Sequence, residues 1–127
     1  MRHTALSFAM LALAASTCAQ FTEKGTHDGV EIAYRWKHPP GKPSELLVRL
    51  RNMSDGDRRI SLGIDLYYQG RTIETFEADT CMRAGMVLNG RLNGFYFIPQ
   101  RLTAAQIKDG GADVEVTRTE VTQATCR

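Results

Sequence analysis

Apolar and polar residues alternate along much of this chain, and the pattern is clearest over residues 30–37. The even positions there are apolar, namely Val30, Ile32, Tyr34 and Trp36. Successive side chains of a β-strand point to opposite faces, so a period of two predicts a strand with one buried face. Three prolines between His38 and Pro43 end the pattern, because proline cannot donate to a hydrogen-bonded ladder.

The same alternation predicts several further strands, separated by turns rich in glycine, asparagine and aspartate. They cover residues 46–51, 60–66, 71–81, 86–88, 95–98 and 113–121. A change of phase between Thr75 and Phe76 predicts a β-bulge in the third of these segments. In the last segment, Val116 is expected to face inward and Thr119 outward.

Two local signals define connections between these segments. Gly70 follows Gln69 at a position where a two-residue hairpin needs a positive φ, so a tight turn is predicted there. Thr103 and Gln106 stand three residues apart, as in a capping box, where each side chain accepts a hydrogen bond from the other residue's backbone N–H. A single helical turn is therefore predicted over residues 102–108, just before the last strand.

These elements together predict an all-β fold, a small antiparallel β-sandwich with one short helical turn before the last strand. The connections are too short for parallel crossovers, which need a dozen residues or more. An immunoglobulin-like or fibronectin-III-like architecture fits this pattern, and a small β-barrel is the alternative. The Cys…Trp…Cys order of antibody domains is absent, because Trp36 precedes both Cys81 and Cys126.

The first nineteen residues, 1–19, have the form of an export signal. Arg2 gives a basic start, and residues 5–15 are almost wholly apolar. As a helix this run would span about 17 Å, which is too short to cross the ~30 Å core of a bilayer. Cleavage after Ala19 would leave residues 20–127 as a single exported domain, periplasmic or secreted, without a transmembrane helix.

The cysteines agree with export, since the chain has three and the signal segment holds one of them. Cleavage after Ala19 removes Cys18 and leaves Cys81 and Cys126, which are predicted to form a disulfide in an oxidising compartment. The alternative is that Cys18 carries a lipid that anchors the protein to a bacterial membrane. That reading leaves the same pair of cysteines for the disulfide.

Composition and motifs argue against several function classes. The formal net charge of the chain is only +2, and basic residues such as Arg49 and Arg51 alternate with apolar ones as on a solvated sheet face, so no nucleic-acid partner is predicted. Only His27 and His38 remain outside the signal, and neither stands in a catalytic or metal-binding spacing. The chain is therefore predicted not to be an enzyme and to hold no cofactor or metal.

Two tyrosines are the candidate ligand surface. Alternation turns Tyr67 away from the inward residues of its strand, and Tyr96 lies in the apolar run 95–98. We expect a non-catalytic exported module that binds a protein or a cell-envelope component through a sheet face or an edge strand. If Tyr67 and Tyr96 share an exposed face, the alternative is a carbohydrate-binding domain that stacks sugar rings on these aromatics.

Overall fold

Eight β-strands dominate the computed structural model, which describes residues 20–93 and 95–127. The strands are β1 Thr22–His27, β2 Val30–Lys37, β3 Glu45–Asn52, β4 Arg58–Tyr68, β5 Arg71–Met82, β6 Val87–Asn89, β7 Tyr96–Phe97 and β8 Ala112–Gln123. A 3₁₀ turn covers Gly90–Leu92, and one α-helix, α1, covers Ala104–Lys108. The predicted export segment 1–19, including Cys18, lies outside the described residues.

The strands form two antiparallel sheets, which confirms the predicted β-sandwich. In the first sheet β1, β2 and β3 follow one another, and both β6 and β7 pair with the other side of β3. In the second sheet β4 lies between β5 and β8. Apart from β1, this order matches strands A-B-E packed over C′-C-F of an immunoglobulin variable-type sandwich. Over residues 20–93 and 95–127, no strand pairs with the far side of β8.

The core lies between the sheets and consists mainly of residues that the alternation marked as inward. Nine core residues each expose at most 1% of their surface. They are Val30, Ile32, Leu46, Val48, Leu50, Ile60, Leu62, Ile64 and Leu66. Burying one such side chain contributes roughly 1.5–3 kcal/mol relative to leaving it in water. The period-two predictions for β2, β3 and β4 are therefore confirmed.

Tight hairpins connect β1 to β2 and β4 to β5. Gln69 and Gly70 have φ values of +52° and +76°, which confirms the turn predicted there. Asp28 and Gly29 have φ values of +45° and +82° and make an equivalent connection. Two consecutive positive φ values match the right-handed twist of the flanking strands, and glycine reaches them without steric cost.

A bulge in β8 reverses the predicted orientation of Thr119. Ile64 pairs with Val116, whereas the preceding Gly63 pairs with Arg118, so Thr117 lies between them without a partner of its own. The extra residue reverses the faces of the strand from that point on. Thr119 consequently lies opposite the buried Leu62 and faces inward, so the prediction that it faces outward is wrong.

The helical turn before the last strand is confirmed together with its cap. The Thr103 hydroxyl accepts from the Gln106 backbone N–H at 3.2 Å, and the Gln106 side-chain oxygen accepts from the Thr103 N–H at 2.9 Å. Ile107 is the buried residue of α1 and joins the core. Within the part of the chain that the structure describes, no helix has the length and apolarity needed to span a bilayer.

The Cys81–Cys126 disulfide is present, with the two Cα atoms 5.6 Å apart. It holds the C-terminal segment against the end of β5, and Asp57 holds the same segment through its carboxylate. The backbone N–H of Cys126 donates to Asp57 Oδ2 at 2.9 Å, and that of Ala84 donates to Oδ1 at 3.3 Å. A bridge across 45 positions stabilises the fold by about 4 kcal/mol in a chain-entropy treatment.

Candidate functional site

The two predicted surface tyrosines lie on different sheets. Tyr67 belongs to β4 and donates to Asp65 Oδ2 at 3.4 Å, on the outer face of the second sheet. Tyr96 belongs to β7 and pairs with Leu47 on the outer face of the first sheet. Both are half-buried. They therefore do not form the shared aromatic platform that carbohydrate binding would need.

The outer face of the first sheet gathers arginines and aromatic rings. Even-numbered residues of β2 and β3 line the core, so their odd-numbered neighbours point outward. The register places Arg35 opposite Leu47 and Arg49 opposite Ala33. We call this surface the arginine face and define it by Phe21, Arg35, Arg49, Arg51, Arg91 and Tyr96.

Phe21 holds two of these arginines in place. The Cζ atom of Arg35 lies 5.2 Å from the centroid of the Phe21 ring, and that of Arg49 lies 4.7 Å from it. Both distances are within the range of an attractive cation–π contact. Ala33 is completely buried although it lies on this outer face, so larger side chains cover the sheet at this point. The two guanidinium groups are thus ordered before any partner binds.

Positive charge on the arginine face is only partly neutralised. Arg49 Nη2 lies 3.3 Å from Glu31 Oε1. Within the described residues, Arg35 and Arg51 have no carboxylate oxygen within 4.0 Å. The Nε atoms of Arg35 and Arg49 are buried without a hydrogen-bond partner, beside the Phe21 ring. The guanidinium groups of Arg35 and Arg51 consequently have donors left for an anionic group.

Arg91 connects Tyr96 to a nearly buried carboxylate. Arg91 Nε donates to Glu45 Oε2 at 2.8 Å, and its Nη2 donates to Oε1, so the pair is bidentate. The hydrogen bond from Arg91 lowers the pKa of Glu45, although burial of the carboxylate opposes that shift. The Cζ atom of Arg91 also lies 4.7 Å from the centroid of the Tyr96 ring. This chain of contacts fixes the orientation of Tyr96 on the arginine face.

The outer face of the second sheet is acidic. It carries six carboxylates and two arginines, namely Asp65, Glu77, Asp79, Asp113, Glu115, Glu120, Arg59 and Arg118. The arginines lie near carboxylates, with Arg59 3.3 Å from Asp79 and Arg118 4.0 Å from Glu77. We call this surface the acidic face. Its sign is opposite to that of the arginine face.

His38 and Ser44 form a contact that resembles the pairing of a base and a nucleophile. His38 Nδ1 lies 2.7 Å from Ser44 Oγ, and the imidazole stacks on Trp36. Burial lowers the pKa of His38, and the nearby Lys108 ammonium lowers it further. Only 1% of the surface of Ser44 is exposed, so a substrate cannot reach its hydroxyl. The contact ties the two ends of the proline-rich loop together.

The two edge strands of the second sheet carry features that hinder pairing with a further strand. β8 has the bulge at Thr117 and charged side chains, and both features block pairing with another chain. Along β5, the Glu74 carboxylate accepts from the backbone N–H groups of Gln100 at 2.9 Å and Arg101 at 3.3 Å, so the segment between β7 and α1 lies against this strand near Glu74.

Comparisons of this chain with protein-family models, with curated proteins and with solved structures find no match. Among the described residues, no group of three His, Cys, Asp or Glu side chains is placed to hold a metal ion. The chemistry of the arginine face is consequently the basis on which a function can be assigned.

Proposed function

We propose that this protein is an exported, non-catalytic module that binds an acidic protein or cell-envelope component through the arginine face. The observation that carries the proposal is the Phe21 ring with Arg35 and Arg49 packed against it. Arginine and large aromatic residues are enriched at the centres of protein interfaces, where they supply much of the binding energy. Export is supported by the Cys81–Cys126 disulfide, because such bonds persist in oxidising compartments.

Preorganisation favours this surface as a binding site. A side chain that is already ordered loses less conformational entropy when a partner binds. Phe21 orders Arg35 and Arg49, while the Glu45 carboxylate orders Arg91. A planar guanidinium group makes two parallel hydrogen bonds to a carboxylate or a phosphate. Acidic groups on the partner therefore match the charge and the geometry of the arginine face.

Carbohydrate binding receives no support from this geometry, because Tyr67 and Tyr96 lie on different sheets. Tyr96 contributes to the proposed surface as a single ring beside Arg91. Lipid anchoring through Cys18 stays a prediction, and the intact mass of the protein from its host tests it. The mass of a chain that begins at Gln20 would support cleavage after Ala19. The mass of a chain that begins at an acylated Cys18 would support lipid anchoring instead.

The experiment compares two double variants that remove equal charge from opposite faces. Purified protein is immobilised and incubated with a soluble envelope extract of the producing cell, and bound components are identified and quantified by mass spectrometry. Arg35→Ala/Arg51→Ala is expected to bind its partner at least about tenfold more weakly than the parent and to capture correspondingly less of it. The reason is that hydrogen bonds to charged groups contribute roughly 1.5–3 kcal/mol each.

Arg59→Ala/Arg118→Ala, on the acidic face, is the matched control and is expected to retain the captured component. Circular dichroism and thermal unfolding confirm that both double variants are folded. Equal loss in both double variants, or equal retention in both, would contradict the proposal, because binding would then not depend on the arginine face.

A further inference from the structure

A cleft of about 530 Å³ lies between the proline-rich loop that joins β2 to β3 and the segment that joins β7 to α1. We call it the loop-end cleft. Its apolar lining is Pro39, Pro43, Ile98, Pro99, Leu102 and Ala104. None of the residues that define the arginine face lines it. The loop-end cleft and the arginine face are therefore separate surfaces.

Both walls of the loop-end cleft are held in place by hydrogen bonds. In the loop, His38 contacts Ser44 at 2.7 Å, and the Lys42 backbone N–H donates to the Pro39 carbonyl at 3.2 Å. On the opposite wall, the Glu74 carboxylate accepts from the N–H of Gln100. Proline rings further restrict both walls, because each fixes its own φ angle. The cleft is therefore largely formed before a ligand arrives, as ligand sites usually are.

The charge of the loop-end cleft is uniformly positive. Lys42 and Lys108 are its two charged lining residues among those that the structure describes, and both are exposed. No carboxylate of the described chain lines the cleft, although the Glu45 carboxylate is near enough to Lys42 to interact with its charge. An occupant that complements this surface combines negative charge with apolar groups that cover the proline, isoleucine and leucine side chains.

We propose that the loop-end cleft binds an extended peptide segment of a partner in which carboxylate side chains alternate with apolar ones. In an extended peptide successive side chains point to opposite sides, so one set can reach the lysines while the other packs on the apolar lining. The cleft is open to solvent between its two walls, which suits a peptide lying across it. An acyl chain would need an enclosed apolar cavity.

The test is a titration of ¹⁵N-labelled, disulfide-bonded protein followed by nuclear magnetic resonance. The probe is the capped peptide acetyl-Leu-Glu-Leu-Glu-Leu-amide, and its counterpart with glutamine in place of glutamate is the uncharged comparison. We expect saturable shifts of the backbone amides of residues 41–42, 98 and 100–104 with the acidic peptide and much smaller shifts with the uncharged one. The amides of Arg35 and Arg51 report separately on the arginine face.

Lys42→Ala/Lys108→Ala is expected to weaken binding of the acidic peptide about fivefold or more, in line with two exposed charge contacts. Lys37→Ala/Arg71→Ala removes the same charge outside the cleft and is expected to leave the affinity unchanged. Absence of shifts at millimolar peptide, equal shifts with the uncharged peptide, or equal weakening in both variants would overturn the proposal. Shifts of the cleft amides with phosphatidylglycerol vesicles but not with the peptide would overturn it as well.

Discussion

Asn52 joins two turns at one end of the sandwich, although its side chain has no exposed surface. Its Nδ2 group lies within donating distance of three carbonyl oxygens, those of Gly56 at 2.9 Å, Met82 at 3.1 Å and Arg83 at 3.1 Å. Its Oδ1 accepts from the backbone N–H and the hydroxyl of Ser54. Replacing Asn52 with alanine removes all of these bonds at once.

The expected cost follows from the number of hydrogens and from the burial. An amide group has two N–H donors, so the three carbonyl oxygens share two hydrogen bonds. Each buried hydrogen bond contributes about 1 kcal/mol net, and the space left by the missing amide group adds roughly 1 kcal/mol. Ser54 is half-buried, so its N–H and hydroxyl can bond to water in place of Asn52, and these two bonds are left out of the sum. Asn52→Ala should therefore lower the free energy of unfolding by about 3 kcal/mol. For a domain of this size, that corresponds to a fall of roughly 12–20 °C in Tm.

Urea unfolding of the disulfide-bonded protein measures this loss, and Trp36, the single tryptophan, supplies a fluorescence signal. Asn89→Ala makes the same substitution at an exposed position of β6 and should change the stability by less than about 0.5 kcal/mol. If Asn52→Ala costs no more than Asn89→Ala, the reasoning about the buried amide is refuted. Asn52→Asp, which sets a carboxylate against the three carbonyl oxygens, should be less stable at pH 7 than at pH 4.

Three further predictions concern the disulfide and two ionisable groups. Cys81→Ser/Cys126→Ser should lose about 4 kcal/mol in urea unfolding, and equal stability with and without the bridge would contradict a structural role. Arg91→Ala should be less stable than the parent at neutral pH, and the gap should narrow as the pH falls below 4.5, because the lowered pKa of Glu45 gives stability that protonation removes. Because the pKa of His38 is lowered in the folded protein, its contribution to stability is complete above pH 6.5 and declines below it. Between pH 7.5 and pH 5.0, the free energy of unfolding should therefore fall less in His38→Gln than in the parent.

Local sequence patterns were sufficient for most strands and for the helix cap. Alternation in β2 and β4 follows from one buried face, and the Thr103 and Gln106 pair acts within a single turn. β1 was not predicted, because its sequence Thr-Glu-Lys-Gly-Thr-His has no apolar residues and is interrupted by Gly25. β1 is a strand because its backbone pairs with that of β2, and pairing with a neighbouring strand leaves no pattern in the local sequence.

The arginine face could not be predicted from the sequence for a related reason. Arg49 was expected on a solvated sheet face, and its position there depends only on alternation. Its contact with Phe21 depends on which strands pair and in which register, and this is set by distant parts of the chain. Tyr67 and Tyr96 illustrate the same limit. Alternation turns Tyr67 outward and Tyr96 lies in a continuous apolar run, but neither pattern determines the sheet to which the residue belongs.

The distribution of charge has a consequence that the formal net charge of +2 hides. Unneutralised arginines lie on the outer face of one sheet, while the acidic face of the other sheet carries six carboxylates and two arginines. An approaching acidic partner is attracted to the first surface and repelled by the second, so it is oriented before contact. Salt screens charges more than about 8–10 Å apart, so added salt should slow association through the arginine face. The buried core, which holds the sheets together, should be little affected by the same salt.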